Sequence, residues 1–144
     1  MCSLKEFLKT GKLGRVQIDT SLEDIINLLG EPDDTAWAKP KIKIWKYGNL
    51  ELTFRNEKII LIKIVINHEN PQFPHKLTEE IWPINKFMKI ESVLDLIDKY
   101  EVSWQVRQQG SFNQQLCLVT EGKVTLYIDL DARECCSLFA GEES

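Results

Sequence analysis

A chain of 144 residues, 43% apolar and 28% charged with a net charge of −4, has the make-up of one ordinary globular unit. A chain of this size buries roughly 68–70% of the surface it exposes when unfolded, so neither a disulfide nor a metal is needed as a staple. The acidic balance without a basic stripe argues against nucleic acid as a partner, and the longest apolar run, 59–66 broken by Lys63, is too short for a membrane helix.

Ser3 and Glu6 have the spacing of a capping box, Leu4, Phe7 and Leu8 make one apolar edge, and Gly11 is a stop, which together predict a short helix over 4–10. Val16 to Ile18 reads as a brief extended entry. Asp19, Thr20 and Ser21 then offer capping oxygens to a helix over 22–29, in which Leu22, Ile25, Ile26 and Leu29 follow the helical period. Gly30 ends that helix and Pro32 prevents its continuation. The stretch 31–41, with Pro32, Asp33, Asp34 and Pro40, reads as a loop carrying Trp37.

The segment 42–66 reads as two or three consecutive strands with turns near Gly48 and Asn56. Leu50, Leu52 and Phe54 alternate cleanly with polar neighbours, and 59–66 is rich in β-branched residues. The polar stretch 67–83, with Pro71 and Pro74, reads as a linker in which Thr78 caps a single helical turn. A helix follows over 90–100, with Ile90, Val93, Leu94 and Ile97 on one face. Trp104 and Val106 suggest a short strand, 108–113 a turn, and 116–120 with 124–130 a hairpin around Glu121-Gly122. From Asp131 onward the chain reads as a tail anchored by Leu138 and Phe139.

Two parts of the sequence match. Leu22, Ile25, Ile26, Leu28 and Leu29 align at one constant offset with Ile90, Val93, Leu94, Leu96 and Ile97. Gly48, Leu50, Leu52 and Phe54 align likewise with Gly122, Val124, Leu126 and Ile128. The expected fold class is therefore α+β: two similar helix-plus-antiparallel-sheet halves, 12–66 and 84–131, arising by internal duplication and sharing one core in a single compact unit, 1–144, with 67–83 between them.

His68 and His75 are the only histidines, and both fall among prolines in the stretch read as a linker. Cys2, Cys117, Cys135 and Cys136 form no C-x-x-C pair and no zinc-ligand spacing, so they read as free thiols in a reducing cytoplasm. Cys117 lies within an apolar strand pattern, as a buried small residue would, whereas Cys135 and Cys136 read as nearer the surface. Asp129, Asp131 and Glu134 read as a solvated strand end. No Gly-rich phosphate loop, G-x-S-x-G elbow or H-E-x-x-H motif occurs, so no catalytic residue, metal ligand or cofactor is assigned. Glu31, Asp33 and Asp34 offer an acidic contact surface for a basic partner, and Trp37 and Trp82, placed in loops, could anchor an interface.

The run Val16-x-Ile-Asp-Thr-Ser-x-Glu-Asp-Ile-x-x-Leu-Leu-Gly-Glu-Pro-Asp33, followed by Trp45-x-Tyr47-Gly48 and the alternating Leu50, Leu52 and Phe54, resembles the helix–LGxP–strand repeat of the BamE (SmpA/OmlA) type of outer-membrane assembly lipoproteins. The same pattern occurs in bacterial cytoplasmic proteins that resemble immunity proteins of polymorphic toxin systems. In the second half Asp98-Lys99-Tyr100 stands where the motif has Gly-x-Pro, and the N-terminus shows no apolar leader, which points to the cytoplasm. The resemblance implies a binding module and carries over no catalytic residue. The resulting expectation is a non-enzymatic protein-binding module, foremost an immunity-type inhibitor of a toxin, with oligomeric state open. The alternatives are an assembly or scaffold module, and a small enzyme or ligand-binding protein with a cleft between the halves.

Overall fold

The computed structural model describes residues 3–107 and 114–141. The three amphipathic segments form the expected helices: α1 (Leu4–Thr10), α2 (Leu22–Leu29) and α3 (Ile90–Lys99). The ends of α1 and α2 follow from their caps. The Ser3 and Ser21 hydroxyls accept hydrogen bonds from the Glu6 and Asp24 amides, each at 3.1 Å. Gly11 closes α1 in the left-handed conformation at φ 74°, and its amide donates to the Phe7 carbonyl at 2.7 Å.

Eight strands dominate the rest. They are β1 (Asp34–Lys39), β2 (Ile42–Tyr47), β3 (Leu50–Arg55), β4 (Lys58–Val65), β5 (Trp104–Val106), β6 (Gln115–Thr120), β7 (Val124–Asp129) and β8 (Glu134–Gly141). All join one antiparallel sheet in the order β1-β2-β3-β4-β8-β7-β6-β5. The turns near Gly48 and Asn56 lie where expected. Gly48 has φ 62° at the first position of a two-residue turn, while Asn56 and Glu57 both have positive φ, 52° and 61°, in the other.

The expected fold class, an α+β pair of helix-plus-sheet halves, is corrected by this sheet. The fold is sheet-dominated, with three short helices on one continuous sheet rather than a helix paired with each half. Two physical features fuse the chain. β4 and β8 pair from Leu61↔Gly141 to Val65↔Ser137, so no sheet edge separates the parts. In addition, α1 docks at the distant β6–β7 turn, where the Leu8 carbonyl accepts from Thr120 Oγ1 at 2.6 Å and from the Gly122 amide at 3.2 Å. The approach is so close that a Cβ on Gly122 would lie 2.5 Å from the Lys9 carbonyl carbon.

One face of the sheet carries the core. Leu50, Leu52, Phe54, Ile62, Ile64, Leu138, Leu126 and Val124 point the same way by register and are buried with Phe7, Ile25, Leu29, Val93 and Ile97 from the helices. Each such side chain contributes roughly 1.5–3 kcal/mol by leaving water. The segment 67–83 contains neither helix nor strand, and Thr78 caps no helical turn. It is packed all the same: Pro71, Leu77, Thr78 and Trp82 are buried. Two further expectations change: 34–39 is a strand rather than loop, and 134–141 is a central strand rather than a tail. The turn expected over 108–113, and Cys2, lie outside the described residues.

Candidate functional site

The five residues singled out in the sequence go to three different places. Glu31 and Asp33 come together in the link from α2 to β1, beside a small hollow of about 300 Å³ shared with Tyr47, Gly48 and Gln72. Asp33 is occupied there. Its amide donates to the Lys46 carbonyl at 2.8 Å, and its carboxylate Oδ2 accepts from the Gly48 amide at 2.7 Å. The Tyr47 hydroxyl donates to the Gly30 carbonyl at 2.8 Å. Burial first, then the charges of Glu31 and Asp33, push that hydroxyl up to about 12. Gly48 itself is pinned, because a Cβ there would come within 2.6 Å of the Gln72 carbonyl oxygen. The acidic loop is thus first a clamp on the β2–β3 turn, made by Asp33.

Trp82 is corrected as an interface anchor. It is 1% exposed, packed against Phe73 (ring centroids 4.6 Å apart) and Phe7 (5.8 Å) beneath the helices. Its indole nitrogen has no hydrogen-bond partner among the described residues. Long-range packing decides this, since the surrounding prolines read as linker.

Asp34 and Trp37 lie together on β1, which forms one end of the sheet. All six β1 residues are exposed, and Trp37 keeps 66% of its surface. Among the described residues β1 pairs with β2 on one side only, so its other row of backbone groups has no strand partner, and the Thr35 amide donates to Asp34 Oδ1 at 2.9 Å. By register, Trp37 lies opposite Lys43 on the core-side face but beyond the core's margin, and the Lys43 ammonium sits 5.3 Å from its ring centroid. Asp34 lies opposite Lys46 on the other face. The pairing shifts between Trp37 and Lys39, and Lys39 is brought opposite Ile42 on the same face as Asp34. Sequence reasoning named Asp34 and Trp37 but missed the strand that presents them. The signal was thin: Thr35 and Trp37 favour strands, but the residues between and beside them are Ala, Lys and Asp.

The cleft alternative would need His75, Cys117 or an acidic group to converge. His75 is exposed in the 67–83 segment, Cys117 is buried within β6, and His68 stacks on Phe87 at 5.0 Å instead. Among the described residues no three His, Cys, Asp or Glu side chains converge as metal ligands. Cys135, read as near the surface, is buried at 1% exposure, and burial, with Cys136 adjacent, pushes its thiol up to about 12. An open groove of about 870 Å³ lies between Thr10 at the end of α1 and the sheet, lined there by Arg107, Lys123, Tyr127 and Phe139. Arg107 Nη1 donates to Thr125 Oγ1 within it at 3.4 Å.

Neither a family model nor a curated protein matches the sequence. Among solved structures, the chain is similar to an extracellular protein containing a SCP domain from Bacillus anthracis str. Ames, at 14% identity and a TM-score of 0.48. That alignment covers 88% of this chain and 44% of the other, so this chain spans less than half of that protein.

Proposed function

We propose that this chain is a protein-binding module that docks its partner along the β1 edge. The observation that supports the reading is a six-residue edge strand, exposed throughout, with a tryptophan two-thirds exposed near its middle. An edge of this kind recognises an added strand through backbone hydrogen bonds, with alternate side chains giving selectivity. Trp37 is the residue type that dominates binding energy at interfaces, and Lys43 beside it adds a cation–π contact. Lys39, Glu31 and Asp34 supply a mixed polar rim around it.

The test is a photo-crosslinking amino acid at position 37, with the Trp37→Ala variant as its counterpart in affinity measurements against the captured protein. Adducts through position 37, and a loss of about tenfold or more in affinity for Trp37→Ala, are expected. Adducts that map only to other faces would refute docking at β1. Inhibition of a toxin is a narrower form of the binding-module reading, and it does not fix which surface the toxin occupies. It is supported by the acidic charge and by the resemblance of residues 14–66 to immunity-type proteins. Coexpression with a toxin encoded beside this gene should then give a complex and protection; neither appearing would remove that narrower form.

A further inference from the structure

We infer that the strand taken up by β1 is β1 of a second copy of this chain. The two strands pair antiparallel about a two-fold axis perpendicular to the sheet near Trp37, which joins two eight-stranded sheets edge to edge. The inference rests on the reading of β1 as a docking strand and names its occupant.

Charge is the first argument. β1 reads Asp34-Thr-Ala-Trp-Ala-Lys39, with its one acid at the start and its one base at the end. The shift in pairing after Trp37 places Asp34 and Lys39 on the same face of the sheet. A perpendicular two-fold axis preserves faces and reverses direction. Each Asp34 is therefore carried alongside the other copy's Lys39, and the contact gains two acid–base pairs. Parallel pairing would set acid beside acid and base beside base, which is unfavourable.

Shape is the second argument. Between the charged ends stand only Thr35, Ala36, Trp37 and Ala38. The small residues leave the neighbouring backbone free to approach, and the single large one lies near the axis. There the two copies of Trp37 meet on the opposite face from the charges and shelter each other's exposed rings. Extent is the third argument. Pro40 and Lys41 turn the chain immediately after Lys39, so the contact is limited to one short strand. The far end of the sheet is β5, with only three residues. A self-complementary contact used once on each copy closes at a dimer instead of growing into a fibre.

Sedimentation velocity from micromolar to millimolar concentration tests the inference, with the chain intact. The wild-type protein should shift from monomer to dimer as concentration rises. Asp34→Lys and Lys39→Asp should each weaken the dimer by about tenfold or more when alone, because each sets like charges across the contact. Mixed in equal amounts, the two variants should recover a heterodimer of near wild-type strength, since one copy then offers two bases and the other two acids. Circular dichroism confirms that the variants fold, as exposed edge positions permit. A wild-type chain that remains monomeric throughout, or a mixture no stronger than its components, overturns self-pairing. A monomer that still captures a different protein through position 37 overturns self-pairing while leaving docking at β1 intact. If no adduct ever forms through position 37, the docking reading falls as well.

Discussion

β1 and β8 were both unread as strands in the sequence, and their fates in the fold are opposite. β8 runs through the middle of the sheet between β4 and β7, with Cys135, Ser137, Leu138, Phe139 and Ala140 buried. β1 ends the sheet, and none of its residues is buried. Neither carries the period-2 alternation that marks a half-buried strand, but for different reasons. β8 is sheltered on both faces along most of its length, so its residues need not alternate, and Cys, Ser and Ala fill narrow space there. β1 overhangs the core, so nothing requires it to present an apolar face at all. A missing alternation therefore marks both a strand covered on two faces and the least-covered strand of the sheet.

The largest expected effect separates the two strands directly. Leu138→Ala in β8 should cost about 3–4 kcal/mol in urea unfolding, since a fully buried leucine leaves both lost contacts and a cavity. A cost below about 1 kcal/mol there would mean that β8 is not a core strand.

The next effect comes with alkaline pH. Tyr47 and Cys135, ordinarily near 10.0 and 9.0, are each pushed up to about 12, largely by burial. Unfolded, both groups lose their protons earlier than when folded, so stability should be full below about pH 9 and fall as pH rises toward 12. Thermal melts from pH 8 upward would show the decline. The double variant Tyr47→Phe/Cys135→Ala should flatten it, and an unchanged slope would show that neither group carries it.

Tyr47→Phe alone removes the hydrogen bond to the Gly30 carbonyl and should cost about 1 kcal/mol at neutral pH. That change also tests the anchoring of β1, because Gly30 opens the link that leads into it. A shift confined to hydrogen exchange of 31–39 would place the whole effect on that link.

The smallest effect is expected for Trp37→Ala in β1. It should alter monomer stability by no more than about 0.5 kcal/mol, because the ring is largely exposed. A stability loss as large as that of Leu138→Ala would make Trp37 a packing residue and erase the contrast between the strands.

The candidate site was legible only in part, for reasons visible residue by residue. Asp34, grouped in the sequence with Glu31 and Asp33, and Trp37, grouped with Trp82, instead share the exposed strand β1. Asp33 was read as contact surface, yet its carboxylate holds the Gly48 amide fifteen positions further on. Nothing local in the chain reveals that closure. Trp82 was misplaced for the converse reason. Its flanking prolines and polar residues describe a linker, whereas Phe7 from the first helix and Phe73 enclose it in the core.

What the sequence determined by itself was local. Serine caps and glycine stops bounded the first two helices, the 3.6-residue period placed the third, and apolar or β-branched runs between turn residues placed β2 to β7. These signals are carried by neighbours within one or two turns of chain, so they can be read in order. The tertiary structure alone decided the partnerships. It set β4 against β8, carried α1 to the far turn at Gly122, and turned two expected halves into a single sheet. Those choices come from burying one shared apolar face and satisfying the backbone of the central strands, requirements met only between segments remote in sequence. The same choices left β1 at the edge with its tryptophan exposed, which is the basis of the proposed docking strand.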